Sequence, residues 1–216
     1  CTDADMLAVM RDNGFQEHYA RVAISVVRSM TERVQEQAPA MLSGYRADPI
    51  RLPGKGRVRI VDRDVTIAFA LADPNIALIQ DLVSPQECEK LITLSSGKLT
   101  RSSVVDRQTG ADQVSAVRTS AGTHFERGEN AIVARIEQRI SALTGIPVEH
   151  GEPLQILYYK PGNEYLAHHD YFDPGDPGSA DILRYGGQRI ATVVIYLNDV
   201  LEGGATRFPE LSLDVR

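Results

Sequence analysis

Apolar residues recur along the chain with two different periods, and the change of period divides it. Thr2 and Asp5 open a short helical pattern that closes at Asn13-Gly14, after which Phe15, Tyr19, Val22, Val26 and Met30 stand at helical spacing. This predicts helix over residues 1 to about 42. A stripe of this kind is a packing face, against the core or against a second subunit, so a homodimer formed through these helices is one expectation. Pro49, Pro53, Gly54 and Gly56 then forbid a continuous helix. We place a boundary there: an N-terminal helical extension and linker over residues 1–56, and a folded domain over 57–216.

From Arg57 the period falls to two. Val58 and Ile60, then Val65, Ile67, Phe69 and Leu71, alternate as half-buried strands do. Helix returns at Ser84-Pro85-Gln86-Glu87, a capping box with proline at the first helical position, followed by the apolar face of Cys88, Leu91, Ile92 and Leu94. A second helix follows Gly128, with Ile132, Ile136, Ile140 and Leu143 on one face and Gly145 and Pro147 at its end. Strands are predicted over 102–106, 155–159, 165–171, 189–198 and 206–208, with a long loop from Asp173 to Gly187. Helices first and strands later predict an α+β domain with an antiparallel sandwich or barrel at its core.

Composition narrows the class only a little. The chain has 216 residues and a net charge of −6, which argues against a generally nucleic-acid-binding surface. Its apolar runs are far shorter than a membrane span. Cys1 and Cys88 are too few for a disulfide framework, which makes a reducing cytoplasm the expected compartment.

Chemistry concentrates at His168-His169-Asp170. On a strand, residues two apart share a face, so His168 and Asp170 could hold one metal while His169 points the other way. An imidazole and a carboxylate, completed by a distant second histidine, make the facial triad of non-haem Fe(II) oxygenases. A bare His-x-Asp also arises as a solvated or hydrogen-bonded pair, so spacing alone leaves both readings open.

The surrounding text supplies the context. In order along the chain stand Ser102-Ser103-Val104-Val105, Val117-Arg118-Thr119-Ser120-Ala121-Gly122-Thr123-His124-Phe125, Tyr158-Tyr159-Lys160-Pro161-Gly162 and Tyr165-Leu166-Ala167-His168-His169-Asp170-Tyr171-Phe172. Gly186-Gly187-Gln188-Arg189-Ile190-Ala191-Thr192 and Tyr196-Leu197-Asn198-Asp199-Val200 come next, then Gly203-Gly204-Ala205-Thr206-Arg207-Phe208-Pro209. Over roughly residues 76–216 this order resembles the prolyl 4-hydroxylase family of Fe(II)/2-oxoglutarate-dependent dioxygenases, with Ala205 where relatives usually carry Glu.

The resemblance implies a double-stranded β-helix, or jelly roll, with supporting helices. It also implies hydroxylation of prolyl residues in a protein or peptide, with 2-oxoglutarate converted to succinate and CO2. Fe(II) and 2-oxoglutarate are the implied cofactors, with ascorbate as reductant. By motif position His168 and Asp170 would bind the metal, and Tyr159 and Thr206 the distal carboxylate of 2-oxoglutarate. Arg118, Ser120, Glu152, Tyr165 and Arg189 would line the substrate groove. The family's second iron histidine and its basic 2-oxoglutarate residue fall beyond the Gly-Gly-x-Thr block, so we expect both beyond Arg216, with the jelly roll's last strands. Two other readings fit the residues: a non-catalytic metal- or peptide-binding module, and an assembly protein built around the N-terminal helices. A halogenase is disfavoured by Asp170, because that chemistry needs a small residue at the position.

Overall fold

The computed structural model describes residues 21–26, 56–72 and 74–216. Within them the chain is a mixture of helices and antiparallel sheets, as the change of period predicts. The largest sheet has five strands in the order β10-β1-β4-β3-β2. These are β1 (Arg21–Val26), β2 (Gly56–Ile60), β3 (Arg63–Ala72), β4 (Asn75–Gln80) and β10 (Thr192–Ile195). A second sheet joins β5 (Thr100–Arg101), β8 (Ala121–Phe125) and β9 (Leu154–Tyr158) in the order β5-β8-β9. Two short hairpins complete the set: β6 (Ser103–Val105) with β7 (Asp112–Val114), and β11 (Thr206–Phe208) with β12 (Leu213–Val215).

One expectation is overturned in β1. Arg21–Val26 is a strand, not a turn of helix, and it pairs antiparallel with β4 on one side and β10 on the other. Its sequence, RVAISV, carries β-branched residues at alternate positions 22, 24 and 26. That pattern suits a pleated strand at least as well as a helix, and the choice is made by two distant partners. The rest of the expected helical extension, the dimer contact built on it, and the linker prolines Pro49 and Pro53 lie outside the described residues.

β4 went unread in the sequence because Ile76-Ala77-Leu78-Ile79 is a continuous apolar run without alternation. The structure gives the reason: both faces of this strand are covered. Ala77 and Ile79 face one cluster with Val65, Ile67, Cys88, Leu91, Phe125, Val133, Ile136 and Ile156, whereas Ile76 and Leu78 face another with Phe69, Leu213 and Val215. The β3–β4 ladder shifts register between Ile67 and Phe69. One extra residue in a strand flips everything after it to the other face, which is why Phe69 leaves the cluster that holds Val65 and Ile67.

Two helices close the first cluster. In α1 (Pro85–Ser95), the Ser84 hydroxyl accepts from the Glu87 N–H at 3.2 Å and Glu87 Oε2 accepts from the Ser84 N–H at 2.9 Å, so the predicted capping box forms. In α2 (Ala131–Thr144), Asn130 Oδ1 accepts from the Ile132 and Val133 N–H groups, and Gly145 ends the helix in the left-handed conformation at φ 73°.

A buried ion network ties these elements together. Arg139, on the inner face of α2, has a side chain only 3% exposed. Its Nε and Nη2 donate to the Asp62 carboxylate at 2.8 and 2.7 Å. Nη1 donates to Leu82 O and Glu87 Oε2, and Nη2 also donates to Glu87 Oε1. All five N–H donors of the guanidinium are thereby used. The network joins the β2–β3 turn, the end of β4 and the first turns of α1 to α2. Cys88, next to it, is a buried free thiol whose pKa burial pushes up to about 11, as befits a packing residue.

Candidate metal and 2-oxoglutarate site

β9 ends at Tyr158, and the chain then crosses an irregular stretch before α3 (Ser179–Gly186). The strand expected over 165–171 does not form. Only an isolated bridge, Tyr165 with Arg118, anchors the stretch, flanked by main-chain bonds from Thr119 N to Glu164 O and from Leu166 N to Val117 O. His168 and Asp170 therefore do not share a face through pleating. Local contacts turn them together: His168 Nε2 lies 3.3 Å from Asp170 Oδ1, and its Nδ1 sits 2.7 Å from the Leu166 carbonyl.

That carbonyl is an acceptor, so Nδ1 carries a proton; Nε2 donates to Asp170 when the ring is doubly protonated and offers its lone pair to a cation when the ring is neutral. The Tyr165 ring stacks on the imidazole with centroids 3.7 Å apart. On the other side of the carboxylate, the Thr192 hydroxyl donates to Asp170 Oδ2. The bond with His168 holds the Asp170 carboxyl down at about 2 against the upward pull of burial, with Thr192 adding to the effect. In return the same bond raises the His168 pKa, burial opposing. His169 packs its ring at a tilt of 47° against Tyr171 and takes no part in the pair.

Several predicted groove residues converge here. Arg189 forms a two-bond ion pair with Glu152 at 2.6 and 2.8 Å, lies over the Phe172 ring, and reaches toward Asp170 O at 3.5 Å. Arg118 is buried, donates to Ser103 O and Gln155 Oε1, and lies over the Tyr165 ring. One chain of contacts thus runs Arg118, Tyr165, His168, Asp170, Arg189, Glu152. Ser120 bonds elsewhere: fully buried, its hydroxyl donates to Ser102 Oγ. Tyr159 stays 41% exposed just past β9. Thr206, on β11, accepts from Tyr196 Oη at 2.6 Å, and that phenol also reaches Val215 O.

Three contributors were not singled out from sequence. Tyr196 orients Thr206. Gln188 brackets the main chain of Phe172, accepting from its N–H and donating to its carbonyl, each at 2.8 Å. Thr192 holds Asp170. All were visible as motif letters, but nothing local says what a residue 16 or 22 positions away will do. The Asp173–Gly187 segment, expected as a loop, contains α3 and docks on the β6–β7 hairpin. Gly178 N donates to Arg107 O, and Gly178 meets Gly110 so closely that a Cβ on Gly178 would lie 2.3 Å from Gly110 N.

The donor pair suits a cation. Two ligands each roughly 2.1 Å from one metal lie at most about 4.2 Å apart, and the 3.3 Å separation of Nε2 and Oδ1 is within that span. One imidazole nitrogen and one carboxylate oxygen are two of the three donors of the facial triad. Among the described residues no group of three His, Cys, Asp or Glu side chains gathers to hold a metal. His124 instead pairs with Glu126 at 3.2 Å, so it does not supply the third donor.

Residues 154–215 match the model of the 2OG-Fe(II) oxygenase superfamily. The curated proteins to which the chain is similar include the following from Arabidopsis thaliana. It is 47% identical to probable prolyl 4-hydroxylase 10 over 138 residues, 63% of this chain and 46% of that one. It is 46% identical to prolyl 4-hydroxylase 5, over 63% of this chain and 45% of the relative, and 44% identical to prolyl 4-hydroxylase 2, over 63% and 44%. The chain spans about half the length of the curated relatives it matches. Across the stretch that builds the site the chain is thus similar to prolyl 4-hydroxylases, and its residues 154–215 carry the 2OG-Fe(II) oxygenase pattern.

Proposed function

We propose that the protein carrying this chain hydroxylates prolyl residues of a protein or peptide, using Fe(II) and 2-oxoglutarate with ascorbate as reductant, with residues 57–216 in a jelly-roll domain. The observation that carries the reading is the convergence of His168 Nε2 and Asp170 Oδ1 at 3.3 Å, each held by a separate hydrogen bond on its far side.

In this reading His168 and Asp170 hold the iron, with Leu166 O fixing the imidazole tautomer. Tyr159 and Thr206 supply hydroxyls for the distal carboxylate of 2-oxoglutarate, and Tyr196 orients the Thr206 hydroxyl. With iron bound there, O2 would be the oxidant: 2-oxoglutarate would give up two electrons on becoming succinate and CO2, and the prolyl C–H the other two on becoming C–OH. Glu152 and Arg189 form a paired acidic and basic wall beside the metal ligands, suited to hydrogen-bonding the main chain of an extended peptide. Tyr165, stacked on the ligand imidazole and with buried Arg118 over its ring, lines the groove beside the metal ligands. Ser120 shapes the groove wall through Ser102.

The test is incubation of a proline-rich peptide with the protein, Fe(II), 2-oxoglutarate and ascorbate. Mass spectrometry should find peptide heavier by one oxygen atom, formed together with succinate, and Asp170→Ala should abolish both. Succinate at equal rates with and without peptide, and no peptide oxidation, would sink the reading.

A further inference from the structure

We propose that Thr192 is a positioning residue for the metal carboxylate: its hydroxyl holds one oxygen of Asp170 so that the other stays beside His168. The inference rests on the reading of His168 and Asp170 as metal ligands. Asp170 divides its two oxygens between two partners, Oδ1 toward His168 Nε2 and Oδ2 toward Thr192 Oγ1. Because Asp170 lies outside any strand, no backbone ladder fixes its direction. The terminal torsion of a carboxylate is broad, and a free one beside Arg189 could turn either oxygen toward the cation or toward the guanidinium.

Thr192 is suited to prevent that. It opens β10, whose backbone is paired with β1 at Ser25, and its β-branched side chain has few rotamers to choose among. The same segment grips the metal loop twice more, through Gln188 on the Phe172 main chain and Arg189 on Asp170 O. The loop is therefore held by side chains of residues 188–192 where a strand pairing would otherwise hold it. Partners of metal-ligating carboxylates typically change metal affinity about 10–100-fold when removed.

Thr192→Val keeps the shape and deletes the hydroxyl; Thr192→Ser restores it. Both are titrated with Co(II), whose visible bands report the number and type of ligands, with thermal unfolding measured in parallel and Asp170→Ala as reference. The valine variant should weaken Co(II) binding about 10–100-fold and alter the bands, while serine returns binding to within about threefold of the parent and both unfold near the parent temperature. Should valine destabilise the fold, Thr192→Ala carries the same expectation. Parent-like affinity and bands in the valine or alanine variant, with Asp170→Ala still losing Co(II), would overturn the positioning role alone. Equal binding by the parent and Asp170→Ala would overturn the metal reading, and this inference with it.

Discussion

Arg139→Met tests the buried network that holds the helices to the sheet. The arginine is 3% exposed and donates to Asp62, to the Leu82 carbonyl and to Glu87, itself 9% exposed at the side chain. Methionine keeps the volume and leaves Glu87 with only Arg63 and Arg135, at 3.5 and 3.3 Å, and the Ser84 N–H. Breaking a buried ion pair by removing one partner costs about 3–5 kcal/mol. Asp62 is 40% exposed and can return to water, so we expect the lower end, about 3 kcal/mol, or a Tm roughly 6–12 °C lower for a chain of this size. Urea unfolding should show a lower midpoint with an unchanged slope. Adding Glu87→Gln should recover part of the loss, since no buried charge then stands unpaired. The pH dependence gives a second arm. Hydrogen bonding to Arg139 lowers Asp62 to about 2; Glu87 is lowered as well, because its bonds to Arg139 and Ser84 outweigh the upward pull of its burial. Both are depressed on folding, so their contribution is present above the ordinary carboxylate range and is lost as pH falls from about 4 toward 2. The parent should weaken through that window more steeply than Arg139→Met. A single-variant loss under about 1 kcal/mol, or a double variant no better than the single, would refute the argument.

Three further outcomes are expected. Thr206→Val removes the acceptor of the Tyr196 phenol and should raise the KM for 2-oxoglutarate roughly tenfold with little change in the KM for peptide; an unchanged 2-oxoglutarate KM would exclude Thr206 from that subsite. Gly178→Ala places a methyl against Gly110 N and the Asp106 and Arg107 carbonyls, so limited proteolysis should cut the 173–187 segment faster than in the parent, at a stability loss of about 1–3 kcal/mol. Val61, at the β2–β3 turn, has φ 36°, a conformation poorly suited to a β-branched residue; Val61→Asn should raise stability by about 1 kcal/mol in thermal unfolding.

What could be read from sequence was what local chemistry decides. The capping box at Ser84 and the glycine stop at Gly145 are short-range devices, and both form as expected. β1 was misread because its apolar residues satisfy both periods, and only pairing with β4 and β10 selects the strand. The strand expected over 165–171 does not form, because distant residues decide this stretch as well. Side chains of Gln188, Arg189 and Thr192 hold this stretch where ladder bonds would. The His168–Asp170 pair was legible through its neighbours in the text, whereas its supports were not, since residues so far apart in sequence leave no periodic trace. Arg139 hid in the same way, as a charged residue of a helix whose partners arrive from 52 and 77 residues away.

The order β10-β1-β4-β3-β2 also has a bearing on synthesis. β1 leaves the ribosome long before one of its two neighbours, β10, which begins only at Thr192. At translation rates of about 5–20 residues per second, β10 follows β1 by roughly 10–30 s. Through that interval one edge of the nascent sheet stands open, an invitation to pairing with other chains. The strand that completes the sheet also begins with Thr192, the residue that grips Asp170, so assembly of the His168–Asp170 pair waits on the same late event.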